Sequence, residues 1–253
     1  MFNYAIVRTP SQAMLHGLTE ANLGPPDYHL ALAQHQGYIE ALESCGLTVV
    51  TLPALEAFPD ACFVEDVALL TPHCAILTHP GAPSRRGEVE HIEAAVRQHY
   101  HQIHRISPQG HLEAGDVMMV GSHFYIGLSA RTDMAGAQEL IAILEQYGMR
   151  GSVVTMSEML HLKTGINYLE NNRMLAFGEM LTHPAFAQFE RIAIQAHESY
   201  AANCVWINGT VLVPAGFPET LATVQALGYH TREVAVSEFQ KLDGGLSCLS
   251  LRF

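Results

Sequence analysis

The chain has 253 residues, of which 49% are hydrophobic and 15% charged, and its formal net charge at pH 7 is −12. This length and apolar content are enough to bury a full core, which excludes a disordered or filamentous protein. Only 13 residues are Lys or Arg, too few for the clustered basic surface that phosphate binding needs, so the charge argues against a nucleic-acid partner.

The five cysteines are odd in number, widely spaced and free of any Cys-x-x-Cys pair. This pattern fits neither a disulfide framework nor a zinc knuckle, and it predicts a reducing compartment. The first residues contain no basic segment leading into an apolar one, and Asn, Gly and Pro interrupt the longest uncharged run. We therefore expect no signal peptide, no membrane span and a cytoplasmic location.

Hydrophobic periodicity predicts short strands that alternate with helices along the chain. The predicted helices span residues 27–45, 88–101, 133–147, 185–190 and 218–227. The predicted strands span residues 2–7, 47–52, 62–64, 67–70, 75–77, 103–106, 111–113, 117–120, 124–128, 152–155, 166–170, 174–177, 192–196, 204–207, 210–213, 231–236 and 246–251. Three of the helices are followed directly by a glycine, Gly46, Gly148 or Gly228, where a helix C-terminus is expected.

A unit of strand, turn, strand, helix and strand recurs about five times, with a period of about 40–50 residues. Repetition on this scale favours a propeller-like or stacked α/β architecture over an ordinary mixed α/β sandwich. The final strand has no helix after it, so residues 2–7 and the first helix are expected to complete its unit by closing the chain into a ring. We expect one catalytic domain spanning residues 1–253.

Polar residues gather at the predicted turns, and these turns meet at one end if the units surround an axis. They offer Asp60, Glu65, Asp66, Glu113 and Asp116, with His161 after a return strand and Cys248 behind a glycine pair. A cysteine nucleophile needs a nearby imidazole, and carboxylates beside it favour a cationic, planar electrophile such as a guanidinium. Each group also has a structural explanation, because turn carboxylates, core histidines and buried cysteines are common.

Three histidines, His99, His101 and His104, raise the question of a metal site. They lie across a helix end without a cysteine or carboxylate in register, which favours a solvated face over a ligand set. We predict no metal.

The chain resembles the dimethylarginine dimethylaminohydrolases, which belong to the guanidino-group-modifying, amidinotransferase-type superfamily with a five-bladed pentein α/β propeller fold. The resemblance runs essentially from end to end. It is carried by six segments, Phe63-Val64-Glu65-Asp66, Leu112-Glu113-Ala114-Gly115-Asp116, His161-Leu162-Lys163, Tyr200-Ala201-Ala202-Asn203-Cys204, Asn208-Gly209-Thr210-Val211-Leu212-Val213-Pro214 and Gly244-Gly245-Leu246-Ser247-Cys248.

The resemblance implies hydrolysis of Nω-methylated arginine to citrulline and a methylamine, without a cofactor. By the same resemblance Cys248 would be the nucleophile, His161 the general acid and base, and Glu113 the residue that orients His161 and the guanidinium. Asp66 would bind the guanidinium nitrogens and Glu65 would support that site. Arg85 and Arg131 would bind the α-carboxylate, and Asp60 with the backbone near Leu18 would face the α-amino group. The family also suggests a homodimer.

One position departs from the family pattern, because relatives often have a glycine pair where this chain has Ala114-Gly115. Alanine fits there if its φ is negative. The nearest rival function is an arginine deiminase, but those enzymes are typically longer and usually have Pro-Arg before the cysteine, where this chain has Leu246-Ser247. A cysteine protease is disfavoured because the carboxylates would oppose an oxyanion. A non-catalytic binding propeller would not need Cys248 or His161.

Overall fold

Five small sheets make up the β-structure of the computed structural model, which describes residues 1–253. Each sheet has three strands, and its middle strand pairs antiparallel with one neighbour and parallel with the other. A short turn joins an antiparallel pair, whereas a parallel pair needs a longer crossover. This is the repeated strand–turn–strand–helix–strand unit that the sequence predicts.

The strands are β1 (Tyr4–Arg8), β2 (Thr48–Leu52), β3 (Ala68–Leu70), β4 (Ala75–Leu77), β5 (Ile103–Arg105), β6 (Val117–Val120), β7 (His123–Leu128), β8 (Arg150–Thr155), β9 (Ile166–Tyr168), β10 (Arg173–Ala176), β11 (Glu190–Ala193), β12 (Val205–Ile207), β13 (Thr210–Pro214), β14 (His230–Val234) and β15 (Leu251–Arg252). The α-helices are α1 (Tyr28–Ser44), α2 (Glu93–Val96), α3 (Met134–Glu145), α4 (Leu162–Gly165), α5 (Pro218–Ala226) and α6 (Ser237–Gln240). The 3-10 helices are Gln12–His16, Val64–Val67, Pro83–His91, Ala114–Asp116, Gly178–Leu181, Pro184–Phe186, Ala196–Ala202 and Ser247–Leu249.

The chain folds as two compact units, the first made of residues 1–64 and 194–253 and the second of residues 65–193. The first unit holds the sheets β15-β1-β2 and β12-β13-β14. Its core packs the fully buried rings of Tyr38 and Phe239 with Phe63 and Leu246. The first and last strands of the chain pair with each other in this unit, with Ala5 on β1 opposite Arg252 on β15.

The second unit holds the sheets β3-β4-β5, β6-β7-β8 and β11-β10-β9. One of its apolar clusters joins Phe124 and Ile126 to Leu140 on α3, and another joins Met174 to Phe186. No helix in the structure is both long and apolar enough to cross a bilayer.

Most predicted elements are present with shifts of a few residues at their ends. Asp27 caps α1 by accepting hydrogen bonds from the amides of His29 and Leu30 at 2.9 and 3.0 Å. Gly46, Gly148 and Gly228 follow helices with φ of 88°, 73° and 88°, a conformation that favours glycine. These helix ends are confirmed.

Five predicted elements are wrong. The strand over residues 62–64 is a turn that leads into the 3-10 helix Val64–Val67, and the strand over residues 111–113 is only an isolated bridge between Leu112 and His79. The helix over residues 88–101 is a 3-10 helix from Pro83 to His91 followed by the single turn of α2. The helix over residues 185–190 is the 3-10 turn Pro184–Phe186. The strand over residues 246–251 begins only at Leu251, and Cys248 lies in the 3-10 turn before it.

Candidate active site

A buried ion pair forms the centre of the polar site in the second unit. His161 immediately precedes α4, and its Nε2 atom donates to Oε2 of Glu113 over 2.8 Å. The other carboxylate oxygen of Glu113 accepts from the amide of Ala82 at 3.1 Å, and the Glu113 amide donates to the Thr132 hydroxyl at 3.1 Å. Glu113 is therefore fixed from three sides, and its position sets the plane of the imidazole.

Charge and burial act in opposite directions on this pair. Burial disfavours the charged imidazole, but the carboxylates of Asp66, Asp116 and Glu113 outweigh it and raise the pKa of His161 to about 9. Burial likewise opposes ionisation of Glu113, but the hydrogen bond and charge of His161, with help from Arg85, lower the pKa of Glu113 to about 2. At neutral pH the site therefore holds an imidazolium ready to donate a proton.

Asp66 lies beside this pair, in the 3-10 turn Val64–Val67. Its Oδ1 atom accepts from the Gly115 amide at 3.1 Å and lies 4.0 Å from Nε2 of His161. A Cβ atom on Gly115 would come within 2.6 Å of Asp66 Oδ1 and 2.9 Å of His161 Nδ1. Residue 115 must therefore be glycine for the two side chains to approach. Ala114 lies in the same turn and is not among the residues with positive φ, so alanine is accommodated there as predicted.

Arg85 is buried and bound by carboxylates of the protein. Its NH1 atom donates to Asp66 Oδ2 at 2.5 Å, and its Nε and NH2 atoms donate to the two oxygens of Glu88 at 3.1 and 2.8 Å. Burial opposes the charge, but Glu88 and Asp66 raise the pKa of Arg85 well above its ordinary value. In these contacts the guanidinium orients Asp66. Glu88 was not predicted as part of the site, because its contact with Arg85 depends on how residues 83–91 fold.

Asp116 links the loops that carry His161 and Arg131. Its Oδ1 atom accepts from the Leu162 amide at 2.9 Å, and its Oδ2 atom accepts from the Ser129 hydroxyl at 2.6 Å. The Ser129 hydroxyl oxygen in turn accepts from the Arg131 amide at 2.9 Å. Asp116 is fully buried, and burial raises its pKa. The sequence placed Asp116 at this turn but did not reveal its partners.

Two further predicted residues lie in the second unit. Glu65 forms an ion pair with Lys163, two residues after His161, at 2.6 Å, with both side chains largely buried. NH1 of Arg131 lies 3.9 Å from Glu113 Oε1, and 23% of the Arg131 side chain remains exposed. Arg131 is thus an accessible cation at the edge of the buried group of Asp66, Glu113 and His161, which we call the acidic cluster.

The acidic cluster also has the spacing of a metal site. Ligand atoms of Asp66, Glu113 and His161 lie within 4.8 Å of one another. His161 is already hydrogen-bonded to Glu113, and Asp66 to Arg85, so these groups are paired with one another and with an arginine of the protein. Of the three histidines considered above, His104 lies on β5 and contacts the Tyr147 hydroxyl at 2.7 Å.

In the first unit, Cys248 lies half-buried in the turn Ser247–Leu249. Its amide donates to the Gly245 carbonyl at 3.2 Å, and the Gly245 amide donates to its Sγ atom at 3.4 Å. A Cβ atom on Gly244 would lie 2.1 Å from the Phe63 ring, and one on Gly245 would lie 2.5 Å from Cγ of Asn203. The glycine pair thus allows close packing of the turn.

Asp60 and Leu18 meet in the same unit. Oδ1 of Asp60 accepts from the Leu18 amide at 3.0 Å, while Leu18 itself is 42% exposed. A Cβ atom on Gly17 would lie 2.9 Å from the same oxygen. The structure therefore brings together the two residues that the resemblance assigns to the α-amino group.

Comparisons with known proteins agree on one family. The model of the arginine deiminase family matches residues 53–209. The chain is 53% identical over 254 residues to an N(G),N(G)-dimethylarginine dimethylaminohydrolase of Pseudomonas aeruginosa, covering 100% of both chains. It is 34% identical to the enzyme of that name from Streptomyces coelicolor, over 98% of this chain and 96% of the relative.

Solved structures extend the match to three dimensions. A cysteine-to-serine variant of the Pseudomonas aeruginosa protein in complex with citrulline superposes with a TM-score of 0.99 at 53% identity over 100% of both chains. A histidine-to-glycine variant of a dimethylarginine dimethylaminohydrolase, solved as an adduct with S-methyl-L-thiocitrulline, matches with the same TM-score of 0.99, identity of 53% and coverage of 100%. The fold is accordingly the five-bladed pentein α/β fold. The chain belongs to the arginine deiminase family and, within it, to the dimethylarginine dimethylaminohydrolases.

Proposed function

We propose that Cys248, His161 and Glu113 carry out the hydrolysis of Nω-methylated arginine in this chain. The chain is a hydrolase that converts asymmetric dimethylarginine or monomethylarginine to L-citrulline and dimethylamine or methylamine. The buried 2.8 Å ion pair between His161 and Glu113, with Asp66 beside it, carries the assignment, because it supplies a charged acid next to carboxylates suited to a guanidinium.

Substrate recognition in the proposal follows charge. A guanidinium is planar and pairs well with carboxylates, so Asp66 and Glu65 are its proposed partners. Arg131 is the more accessible of the two cations proposed for the α-carboxylate, since Arg85 already binds Asp66 and Glu88. Asp60 and the backbone at Leu18 are the proposed site for the α-amino group, which a carboxylate and a carbonyl can bind.

The proposed reaction has two halves. The Cys248 thiolate attacks the guanidinium carbon, a C–S bond forms, and the C–N bond to the methylated nitrogen breaks as His161 donates its proton to the departing amine. An S-alkylthiouronium intermediate remains. The neutral His161 then takes one proton from water as the water oxygen attacks the same carbon. The C–S bond breaks with its electron pair going to the sulfur, which restores the thiolate, and the remaining O–H proton is lost to solvent to leave citrulline.

In the proposed reaction His161 acts first as an acid and then as a base, and its charge state supports that order. Its pKa of about 9 means that the resting imidazole carries the proton that the leaving amine requires. The carboxylates around the imidazole stabilise positive charge on the substrate nitrogens as the guanidinium carbon becomes tetrahedral. Arginine deiminase activity is the second candidate, because the matching family model bears that description.

Residues 1–253 form one catalytic domain in this proposal. The enzyme is a homodimer and works in a reducing, cytoplasmic environment. The five cysteines, all free thiols in the structure, support the reducing environment.

Citrulline release tests the function and the nucleophile together. Wild type, Cys248→Ala and the control Cys45→Ala, which alters another half-buried cysteine, are assayed with dimethylarginine, monomethylarginine and arginine. We expect release from the methylated substrates by wild type and the control, and none by Cys248→Ala. Undiminished release by Cys248→Ala would overturn the assignment, and release mainly from arginine would make the enzyme a deiminase.

A further inference from the structure

The peptide group between Gly244 and Gly245 is held at both of its polar atoms. Its N–H, on Gly245, donates to Sγ of Cys248 at 3.4 Å. Its carbonyl, on Gly244, accepts from the Tyr200 hydroxyl at 2.7 Å. One peptide group therefore connects the tyrosine hydroxyl to the sulfur of the proposed nucleophile.

Asn203 holds the same turn from the other side. Its Oδ1 atom accepts from the Ser247 amide at 2.9 Å, and its Nδ2 atom donates to the Ser247 hydroxyl at 3.0 Å. Asn203 is only 6% exposed, and it packs so closely against Gly245 that a Cβ atom there would lie 2.5 Å from its Cγ. The Cys248 amide closes the turn by donating to the Gly245 carbonyl at 3.2 Å. Asn203 thus fixes the residues on either side of the Gly245 amide.

This arrangement matters chemically because the thiolate is the nucleophilic form of cysteine. A hydrogen bond donated to sulfur favours the thiolate over the thiol. A hydroxyl that donates to the carbonyl of a peptide polarises that peptide and strengthens the bond that its N–H makes. Burial, with a smaller contribution from the nearby Cys248, raises the pKa of Tyr200 well above its ordinary value, so the hydroxyl keeps its proton where the enzyme works.

We propose that Tyr200 and Asn203 are positioning residues that fix the Gly244–Gly245 peptide so that its N–H stabilises the Cys248 thiolate. The proposal rests on Cys248 being the nucleophile. It assigns to the segment between β11 and β12 a role in preparing the sulfur.

Two other polar side chains bind the same turn and provide a comparison. Tyr38, on α1, donates to the Leu246 carbonyl at 2.8 Å, and Arg252, on β15, donates to the Ser247 carbonyl at 3.2 Å. Tyr38 is fully buried. Removing its hydroxyl therefore disturbs the same turn without taking the donor away from the Gly244 carbonyl, which makes Tyr38→Phe a matched control for Tyr200→Phe.

The test measures the acidity of the thiol directly. Wild type, Tyr200→Phe, Asn203→Ala and Tyr38→Phe are alkylated with iodoacetamide across a pH series, and modification of the peptide that contains Cys248 is followed by mass spectrometry. We expect the midpoint of the Cys248 profile to rise by about half a pH unit in Tyr200→Phe and about one unit in Asn203→Ala. Below the midpoint, alkylation slows by about threefold and tenfold respectively.

Tyr38→Phe should keep the wild-type alkylation profile even if it lowers the melting temperature. An unchanged profile in folded Tyr200→Phe would overturn the proposal, and so would an equal shift in Tyr38→Phe. Should Asn203→Ala fail to fold, Tyr200→Phe still decides the matter, because phenylalanine keeps the ring in place. Alkylation is independent of turnover, so a wild type that releases no citrulline would refute the proposed function without altering this result.

Discussion

Replacing Glu113 with glutamine should lower the pKa of His161 by about one to two units. The pKa of His161 lies at about 9 rather than 6.5 because three carboxylates outweigh the effect of burial. That shift corresponds to about 3 kcal/mol in favour of the charged imidazole. Glu113 makes the direct 2.8 Å contact, whereas Asp66 lies at 4.0 Å. Glutamine keeps the size and the acceptor oxygen but removes the nearest charge.

The assay is an NMR titration of protein labelled with ¹⁵N-histidine. The chain has 15 histidines, so the His161 signals are assigned by their loss in His161→Gln. Glu139→Gln serves as the control, because Glu139 accepts hydrogen bonds from Ser107 in the same unit. An unchanged titration midpoint for His161 in Glu113→Gln would refute the electrostatic explanation.

The same ion pair predicts how stability depends on pH. The pKa of His161 is higher in the folded chain than its ordinary value. Its contribution to the free energy of unfolding is therefore complete below pH 6.5 and is lost as the pH rises through about 9. The pKa of Glu113 is lower in the folded chain, so its contribution is complete above pH 4.5 and is lost as the pH falls through about 2. Urea denaturation of wild type should show the free energy of unfolding falling between about pH 6.5 and about pH 9. In Glu113→Gln the fall should start at the same pH but be smaller and end at a lower pH.

Two substitutions in the second unit test its packing and its charge pairing. Gly115→Ala places a methyl group against Asp66 and His161, at 2.6 and 2.9 Å from their nearest atoms. We expect kcat for citrulline release to fall by about tenfold or more. A wild-type kcat would show that the turn can relax to accommodate the methyl group. Lys163→Met removes the ammonium partner of the buried Glu65 carboxylate and should lower the free energy of unfolding by about 3 kcal/mol, whereas a loss below about 1 kcal/mol would show that this pair behaves as a surface ion pair.

Local sequence signals predicted much of the fold because local interactions decide those features. The Asn208-Gly209 dipeptide forms a hairpin turn with φ of 48° and 97°, as its preference for left-handed backbone requires. The helix cap at Asp27 and the glycine helix ends follow the same logic. The repeated sheet could be predicted since each of its units has its own turn signal.

Tertiary contacts explain where the predictions fail. Periodicity extended a helix through residues 88–101, but Arg85 and Glu88 are buried as an ion pair in a 3-10 helix, although charged residues normally mark a helix's solvent side. Cys248 was assigned to a strand, but Gly244 and Gly245 pack against Phe63 and Asn203, which pulls the chain into a turn.

The residue types of the site could be predicted from the sequence, but their hydrogen-bond and ion-pair partners could not. The carboxylates, the histidine and the cysteine were visible as residue types at or near the predicted turns, and the family resemblance supplied the roles proposed for them. Asp116 and Glu88 act through partners that are distant in sequence or depend on an irregular helix. A single sequence carries no signal for such contacts.

The pairing of β1 with β15 constrains when the turn that carries Cys248 can form. Ala5 emerges from the ribosome early, but its partner Arg252 emerges almost a full chain later. Closing so long a loop is entropically costly and slow. Cys248 lies three residues before β15, so the turn that holds its sulfur forms only after this last strand docks. Before β15 has emerged and paired with β1, the turn that carries Cys248 is therefore expected to be unorganised.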